Sequence, residues 1–245
     1  MLAITKSIAL QGLDGYLISI QVDISAGMPH FEIVGLPDTS VRESKERVKT
    51  AIKNSGAEFL SRKIIINLAP ANTRKEGSGL DLAIAVGILT ASGYINMIAN
   101  EEFDSTIFVG ELSLNGNIEK INGILPICIE AKKLGIKRII LPKENAGEAS
   151  YISGIEIIPV ETLEEVMQYL NKEKEIKPEI SRNILNENKQ EYLMDFSEVK
   201  GQENVKRALE ISAAGGHNCM LIRSTRLRKN NACKKVTNHI TRSKF

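Results

Sequence analysis

Residues 80–95, LDLAIAVGILTASGYI, form an almost wholly apolar stretch of helical length. A helix without a polar face holds in water only when other elements cover it on most sides. This stretch therefore has to sit at the centre of a core. Its neighbours in sequence supply the cover. Residues 3–34 read as three strands separated by glycine turns, with Ile18, Ile20, Val22 and Ile24 alternating with Ser19, Gln21 and Asp23, the period of a half-buried strand. Asp38 offers an N-cap for a helix through Asn54, in which Val41, Val48 and Ile52 fall at helical spacing and Gly56 is the stop. Strands are expected at KIIINLAP (63–70), TIFVGELSL (106–114), RIILP (138–142) and GIEIIPV (154–160), and a helix at ILPICIEAKKLGI (124–136). Thr162 and Glu165 form a capping box for the helix LEEVMQYL. Three strands followed by alternating helix and strand predict an α/β (α+β) domain over 1–170.

Past Leu170 the character changes. Residues 171–194 are charged, Asn-rich and weakly periodic and read as a linker, and DFSEVKGQENVKRALEISAAGGHNCMLI (195–222) reads as a helix followed by a short apolar strand. The last 23 residues, RSTRLRKNNACKKVTNHITRSKF, carry eight Lys/Arg, no Asp or Glu and no hydrophobic period. One permissible set of codons for Arg223–Lys235, read after deletion of its first base, spells GPPGSGKTMLAKR. That is a complete Walker A loop, G-x-x-x-x-G-K-T, directly after a strand. There the backbone N–H groups cradle phosphates, Lys meets the terminal ones and Thr holds magnesium. The expectation is a +1 frameshift at Arg223, where the phosphate loop would begin. The chain itself has no G-x-x-x-x-G-K-[ST]. The alternative is a genuine basic tail for nucleic acid.

The charge balance follows the same division. The chain is +2 overall, yet residues 1–222 hold 24 basic against 30 acidic groups, a net of −6. Without the tail there is no global basic signature for nucleic acid. Cys128, Cys219 and Cys233 show neither paired nor metal-ligand spacing, which suggests a reducing, cytoplasmic setting. No run approaches 18 apolar residues, so neither a signal peptide nor a membrane span is expected.

Two resemblances rest on quoted segments. FEIVGLPDTSVRESKERVKTAIKNSG with NLAPANTRKEGSGLDLAIAVGIL is similar to the opening domain of the ComM/YifB family, magnesium-chelatase-like AAA+ proteins. Residues 195–222 resemble that family's entry into its ATPase module, where GPPGSGKT normally follows. The resemblance implies a hexameric motor ATPase acting in DNA branch migration and natural transformation. It also implies ATP and Mg2+ as cofactors of the intact protein, none of them for this chain, and DNA and copies of itself as partners. Beneath it, the order KEGSGLDLAIAVGILT, GELSLNGNIEKINGILPICIEAKKLGIKRIILPKEN and GIEIIPVETLEEVMQYL resembles the proteolytic domain of Lon-type proteases, a two-layer fold shared with a ribosomal small-subunit protein domain. Lon proteases use a Ser–Lys dyad in which a lysine of lowered pKa takes the serine proton. The nucleophile's position falls on Gly79, in EGSGLD where Lon reads DGPSAG. The lysine's falls on Leu125, in NGILPI where Lon reads GGLKEK. Both catalytic side chains are absent. Ser78 is one residue away, but one residue at a helix start turns a side chain by about 100°.

The loop APANTRKEGSG (69–79) is the candidate working surface. Arg74, Lys75, Gly77 and Ser78 precede the apolar helix, whose N-terminal N–H groups favour anions, so the loop could contact a DNA phosphate or a partner subunit. The plainer reading is a solvated loop. On that functional reading, Arg74→Ala and Lys75→Ala weaken DNA binding and flatten its salt dependence. Arg42, Lys45, Arg47, Lys49 and Lys53, against Glu43 and Glu46, make a mixed helix face that reads first as solvation. His30 and His217 stand alone, without ligand spacing, and Asp81 reads as a structural group in the first turn of its helix. The expected function is the non-catalytic N-terminal domain of a ComM-like ATPase, with no catalytic residue and no metal site in this chain. The rivals are a Lon-type serine peptidase, disfavoured by the absent dyad, and a stand-alone oligomerisation or interaction domain.

Overall fold

The computed structural model describes residues 1–73, 75, 77–96, 101–181 and 201–220. Two compact units result, Met1–Ile184 and Leu185–Phe245. The first opens with β1 (Leu2–Gln11), β2 (Asp14–Ser25) and β3 (His30–Val34), then α1 (Thr39–Asn54) and β4 (Lys63–Ala69). These strands form one sheet in the order β1-β2-β4-β3. β1 and β2 pair antiparallel, with Ile4 opposite Gln21, and β3 pairs parallel with β4, with Ile33 opposite Ile66. A parallel pair needs a crossover, and α1 supplies it. Asp38 caps α1 as expected, its carboxylate accepting from the Val41 N–H at 2.8 Å. Val41, Val48, Ala51 and Ile52 turn inward.

The apolar helix is α2 (Asp81–Ala91), and all eleven of its residues are buried. It lies across β1 and β2 and against α1, so its lack of a polar face is matched by cover on every side. Gly87 permits the approach to the sheet, because a Cβ there would come within 2.7 Å of Val22 Cγ2. Each fully buried Leu, Ile or Val in such a position stabilises by about 1.5–3 kcal/mol.

After α3 (Glu101–Asp104), a second sheet forms from β5 (Thr106–Phe108), β8 (Arg138–Pro142) and β9 (Glu156–Val160), all parallel, in the order β5-β8-β9. Between them lie the short β6 (Glu111–Leu112) and β7 (Ile118–Glu119), which pair with each other, and α4 (Ile124–Lys133). α5 (Lys143–Ala149) joins β8 to β9, and α6 (Leu163–Leu170) follows. α4 and this sheet enclose a second core around Ile107, Ile124, Cys128, Ile139 and Ile157.

The structure departs from the sequence expectations at several points. The single strand at 106–114 is broken after Phe108, because the Gly110 N–H donates to Gly79 O at 2.9 Å and its carbonyl accepts from the Leu82 N–H at 3.0 Å. That leaves Gly110 tied to the start of α2 and no longer available to a ladder. The helix α5 is not signalled by KENAGEA, which has too few apolar residues to show a period. The capping box is displaced: Thr162 accepts from the Glu165 N–H, but Glu165 reaches the N–H of Glu161 at 2.8 Å. Residues beyond 170 also contact the rest of the first unit. The Glu179 N–H donates to Ile157 O at 2.8 Å, Lys174 pairs with Glu165, and Ile176 packs on the core. In the second unit, α7 (Glu203–Gly215) ends at Gly216 in a left-handed conformation, and residues 217–220 form no strand. Among the described residues, no helix is long and apolar enough to cross a membrane.

Candidate functional site

The start of α2 is where the sequence-derived candidates meet. Asp81, in the first turn of an otherwise apolar helix, is fully buried. Arg47 of α1 donates to it through Nε at 2.8 Å, the Leu112 N–H donates at 3.3 Å, and the Ser44 hydroxyl completes the shell. Burial pushes the Asp81 carboxyl upward, and Arg47, Ser44 and the Leu112 N–H hold that rise back. The Arg47 guanidinium is in turn raised by its bond to Asp81. This ion pair fastens α1, α2 and β6 together, so Asp81 is structural, as the sequence suggests. Arg47 does not belong to the exposed charged face on which sequence reasoning placed it.

The preceding loop is fixed at several points. The Lys75 N–H donates to Leu36 O at 3.2 Å, and the Asp38 N–H donates to Lys75 O at 3.0 Å. The Gly77 N–H donates to the Ser40 hydroxyl oxygen at 3.1 Å. The Lys75 side chain is itself buried. Its ammonium donates to Thr73 O at 2.7 Å and to Pro70 O, and burial lowers its pKa. The structure thus places Lys75 inside the loop, where sequence reasoning had an outward cation. Arg74 lies outside the described residues. The helix N-terminus is also less open than expected: the Asp81 N–H donates to Ser78 O and the Leu82 N–H to Gly110 O.

Ser78 and Gly79 border a cleft of about 250 Å3, shared with Glu111, Lys120, Ile121 and Asn122. The Ser78 hydroxyl donates to the Glu111 carboxylate. At Gly79 a Cβ would meet only Ile121 and Val109 side chains at 3.9 Å. Gly79, the position that the Lon likeness assigns to a nucleophile, therefore borders the cleft and has room for a side chain. Leu125, half-buried in the first turn of α4, does not line the cleft. Lys120 does, but it is exposed. The cleft thus holds a hydroxyl tied to a carboxylate and no serine–lysine pair at the positions that the Lon likeness assigns. Among the described residues, no group of three His, Cys, Asp or Glu could hold a metal ion.

Sequence reasoning missed Ser44, Glu111 and Lys120. Ser44 had a signal: it falls within the stripe Val41, Val48, Ala51 and Ile52, and a hydroxyl among inward apolar positions needs a partner. Glu111 and Lys120 carried none, because they lie far along the chain from Ser78, Glu111 by 33 residues, and only folding brings both to the same cleft. His30 is exposed and bonds Glu32 at 3.1 Å. His217 is exposed in the second unit. Cys128 is fully buried, its thiol pushed up to about 12 by desolvation.

Comparison with known proteins places these features. A family model described as "Subunit ChlI of Mg-chelatase" matches residues 20–145, and one described as "Magnesium chelatase, subunit ChlI" matches residues 195–240. Competence protein ComM of Haemophilus influenzae is 37% identical over 227 residues, covering 90% of this chain and 43% of that protein. The uncharacterized protein YifB of Escherichia coli is 38% identical over 221 residues, covering 90% and 42%. Lon protease 2 of Bacillus subtilis is 32% identical over 196 residues, covering 71% and 34%. The chain spans about two-fifths of the length of ComM and YifB. With an α/β fold of Lon-like kind and matches over both of its units, the chain belongs to the ComM/YifB family of Mg-chelatase-like proteins.

Proposed function

We propose that this chain is the non-catalytic N-terminal part of a ComM-like AAA+ ATPase whose motor moves DNA strands in branch migration and natural transformation, in the cytoplasm. The observation that carries the reading is the pair Gly79 and Leu125. A Lon-like fold with glycine facing the cleft, and leucine off it, keeps the architecture without a nucleophile or its base. The domain then serves assembly of a homo-oligomer and contact with DNA, not peptide hydrolysis.

ATP and Mg2+ are the cofactors of the intact protein on this reading. The residues present do not fit them, since Arg223–Phe245 contains no Gly, Asp or Glu. A phosphate loop needs glycines for close backbone approach, and the metal needs oxygen ligands. The frameshift accounts for this: a one-base slip keeps codon positions in step, so Arg223–Lys235 stands where GPPGSGKTMLAKR would stand.

Two measurements test the reading. Sequencing the gene across the Ile222 and Arg223 codons, with expression after removal of the extra base, should give a longer protein that hydrolyses ATP. A fluorophosphonate probe should leave the present chain unlabelled. Labelling that Ser78→Ala abolishes would install the peptidase reading instead, and a reframed protein without ATPase activity would sink the motor reading.

A further inference from the structure

Once Arg47 is turned inward, the remaining cations of α1 are sorted by the helix itself. Arg42, Lys45, Lys49 and Lys53 stand at i, i+3, i+7 and i+11 and so share one side of the helix, flanking the stripe of buried Val41, Ser44, Val48, Ala51 and Ile52. Arg42 and Lys53 are exposed, and Lys45 and Lys49 partly so. Glu46 lies on the same face and Glu43 at its flank, leaving the face an excess of positive charge. Neither acid is bonded to these cations: among the described residues Arg42, Lys49 and Lys53 make no ion pair, and Lys45 rests over the Phe31 ring at 5.7 Å. Elsewhere in the domain some surface cations find carboxylates, as Lys133 does with Glu130, Lys174 with Glu165 and Arg138 with Glu156, while Lys63, Lys132 and Lys137 make no ion pair among the described residues. What sets α1 apart is that four cations share one side of a single helix. A charged helix that serves only solvation is usually laced by such pairs.

We infer that the outer face of α1 is a nucleic-acid backbone contact, with Arg42, Lys49 and Lys53 neutralising phosphates of duplex DNA and Lys45 at the margin. The row spans eleven residues, about 16 Å at 1.5 Å per residue. One strand of a duplex carries a charge every ~3.4 Å of axis, so three cations at this pitch can each meet a different phosphate. The face has no aromatic or amide side chain aimed outward for base reading, so the contact is independent of sequence. The inference deepens the DNA reading above and rests on it. It also moves the contact from the 69–79 loop, where Lys75 is internally bonded, to the helix that this loop braces.

The test uses the full chain and fluorescein-labelled duplex DNA, with anisotropy measured between about 50 and 200 mM salt. Each lost phosphate contact lowers the slope of log K against log salt by about 0.9. The triple variant Arg42→Gln, Lys49→Gln, Lys53→Gln should therefore lose about 2.7 from the slope, making the affinity drop across that range about 40-fold smaller. Gln keeps the helix propensity of Lys and Arg, and circular dichroism verifies the fold. A control triple, Lys132→Gln, Lys133→Gln, Lys137→Gln, removes equal charge at the end of α4 and should leave the slope unchanged. The basic tail is the same in all three proteins. Wild-type binding with a slope change below about 1, or an equal change in the control, overturns the α1 contact while the DNA reading stands. No wild-type binding to duplex overturns both. Binding to phosphatidylserine vesicles but not to duplex replaces DNA by an anionic membrane surface.

Discussion

Arg47→Met isolates the buried ion pair that joins α1 to α2. Methionine keeps much of the arginine stem and its packing, so the change removes the guanidinium and little else. Asp81 is left fully buried with only the Ser44 hydroxyl and the Leu112 N–H. Breaking a buried pair by removing one partner costs about 3–5 kcal/mol. The lower end applies here, because the Arg47 side chain retains 22% exposure and two donors remain. About 3 kcal/mol shifts Tm by roughly 6–12 °C in a domain of this size. The pH dependence gives the second handle. The Asp81 carboxyl is already raised by burial, so its contribution to stability is fullest below the ordinary Asp value of about 3.9 and is lost as pH rises through its folded value. Removing Arg47 raises the folded value further. The penalty should therefore be largest near neutral pH and shrink at acid pH as the carboxyl protonates. Far-UV circular dichroism under urea reports it, since the chain has no Trp. Adding Asp81→Asn to Arg47→Met should recover part of the loss at neutral pH. A penalty below about 1 kcal/mol, or one equal at neutral and acid pH, would refute the view that a charged Asp81 depends on Arg47.

The two glycines of the α2 region should behave oppositely. Gly87→Ala places a Cβ 2.7 Å from Val22 and should cost about 1–3 kcal/mol by overpacking, whereas Gly79→Ser has open cleft before it and should cost under about 1 kcal/mol; thermal melts compare them directly. Lys75 has a folded pKa lowered by burial. Its ammonium thus weakens the fold at neutral pH relative to alkaline pH, and stability should rise as pH approaches the ordinary lysine value of about 10.4. Lys75→Met should remove that rise in urea titrations. Iodoacetamide should modify the exposed Cys219 in the native protein and reach the buried Cys128 only after unfolding, which mass spectrometry of peptides resolves.

Periodicity made much of the fold legible. β1 through β4, α1, α2, β8, β9 and α6 lie where alternation, helical spacing or an unbroken apolar run puts them, because burial on one face or on all faces leaves a direct imprint on residue order. The Asp38 cap was legible for the same reason, being a local bond between neighbours. The assignment of Gly79 and Leu125 to a lost dyad rests on the Lon resemblance rather than on residue pattern. Long-range geometry decided the rest. Arg47 and Lys49 are equivalent letters on a charged helix until α2 brings a buried carboxylate to one of them. Lys75 reads as a surface cation until its loop folds back and two carbonyls take its ammonium. Ser78 meets Glu111, and Gly110 stops a strand, only because the chain returns across the start of α2. Sequence determined which surfaces must be buried. Tertiary structure decided which charges are bonded inside and which remain outside, because the partner of a charge is set by what folding brings within about 3 Å of it, not by its neighbours along the chain.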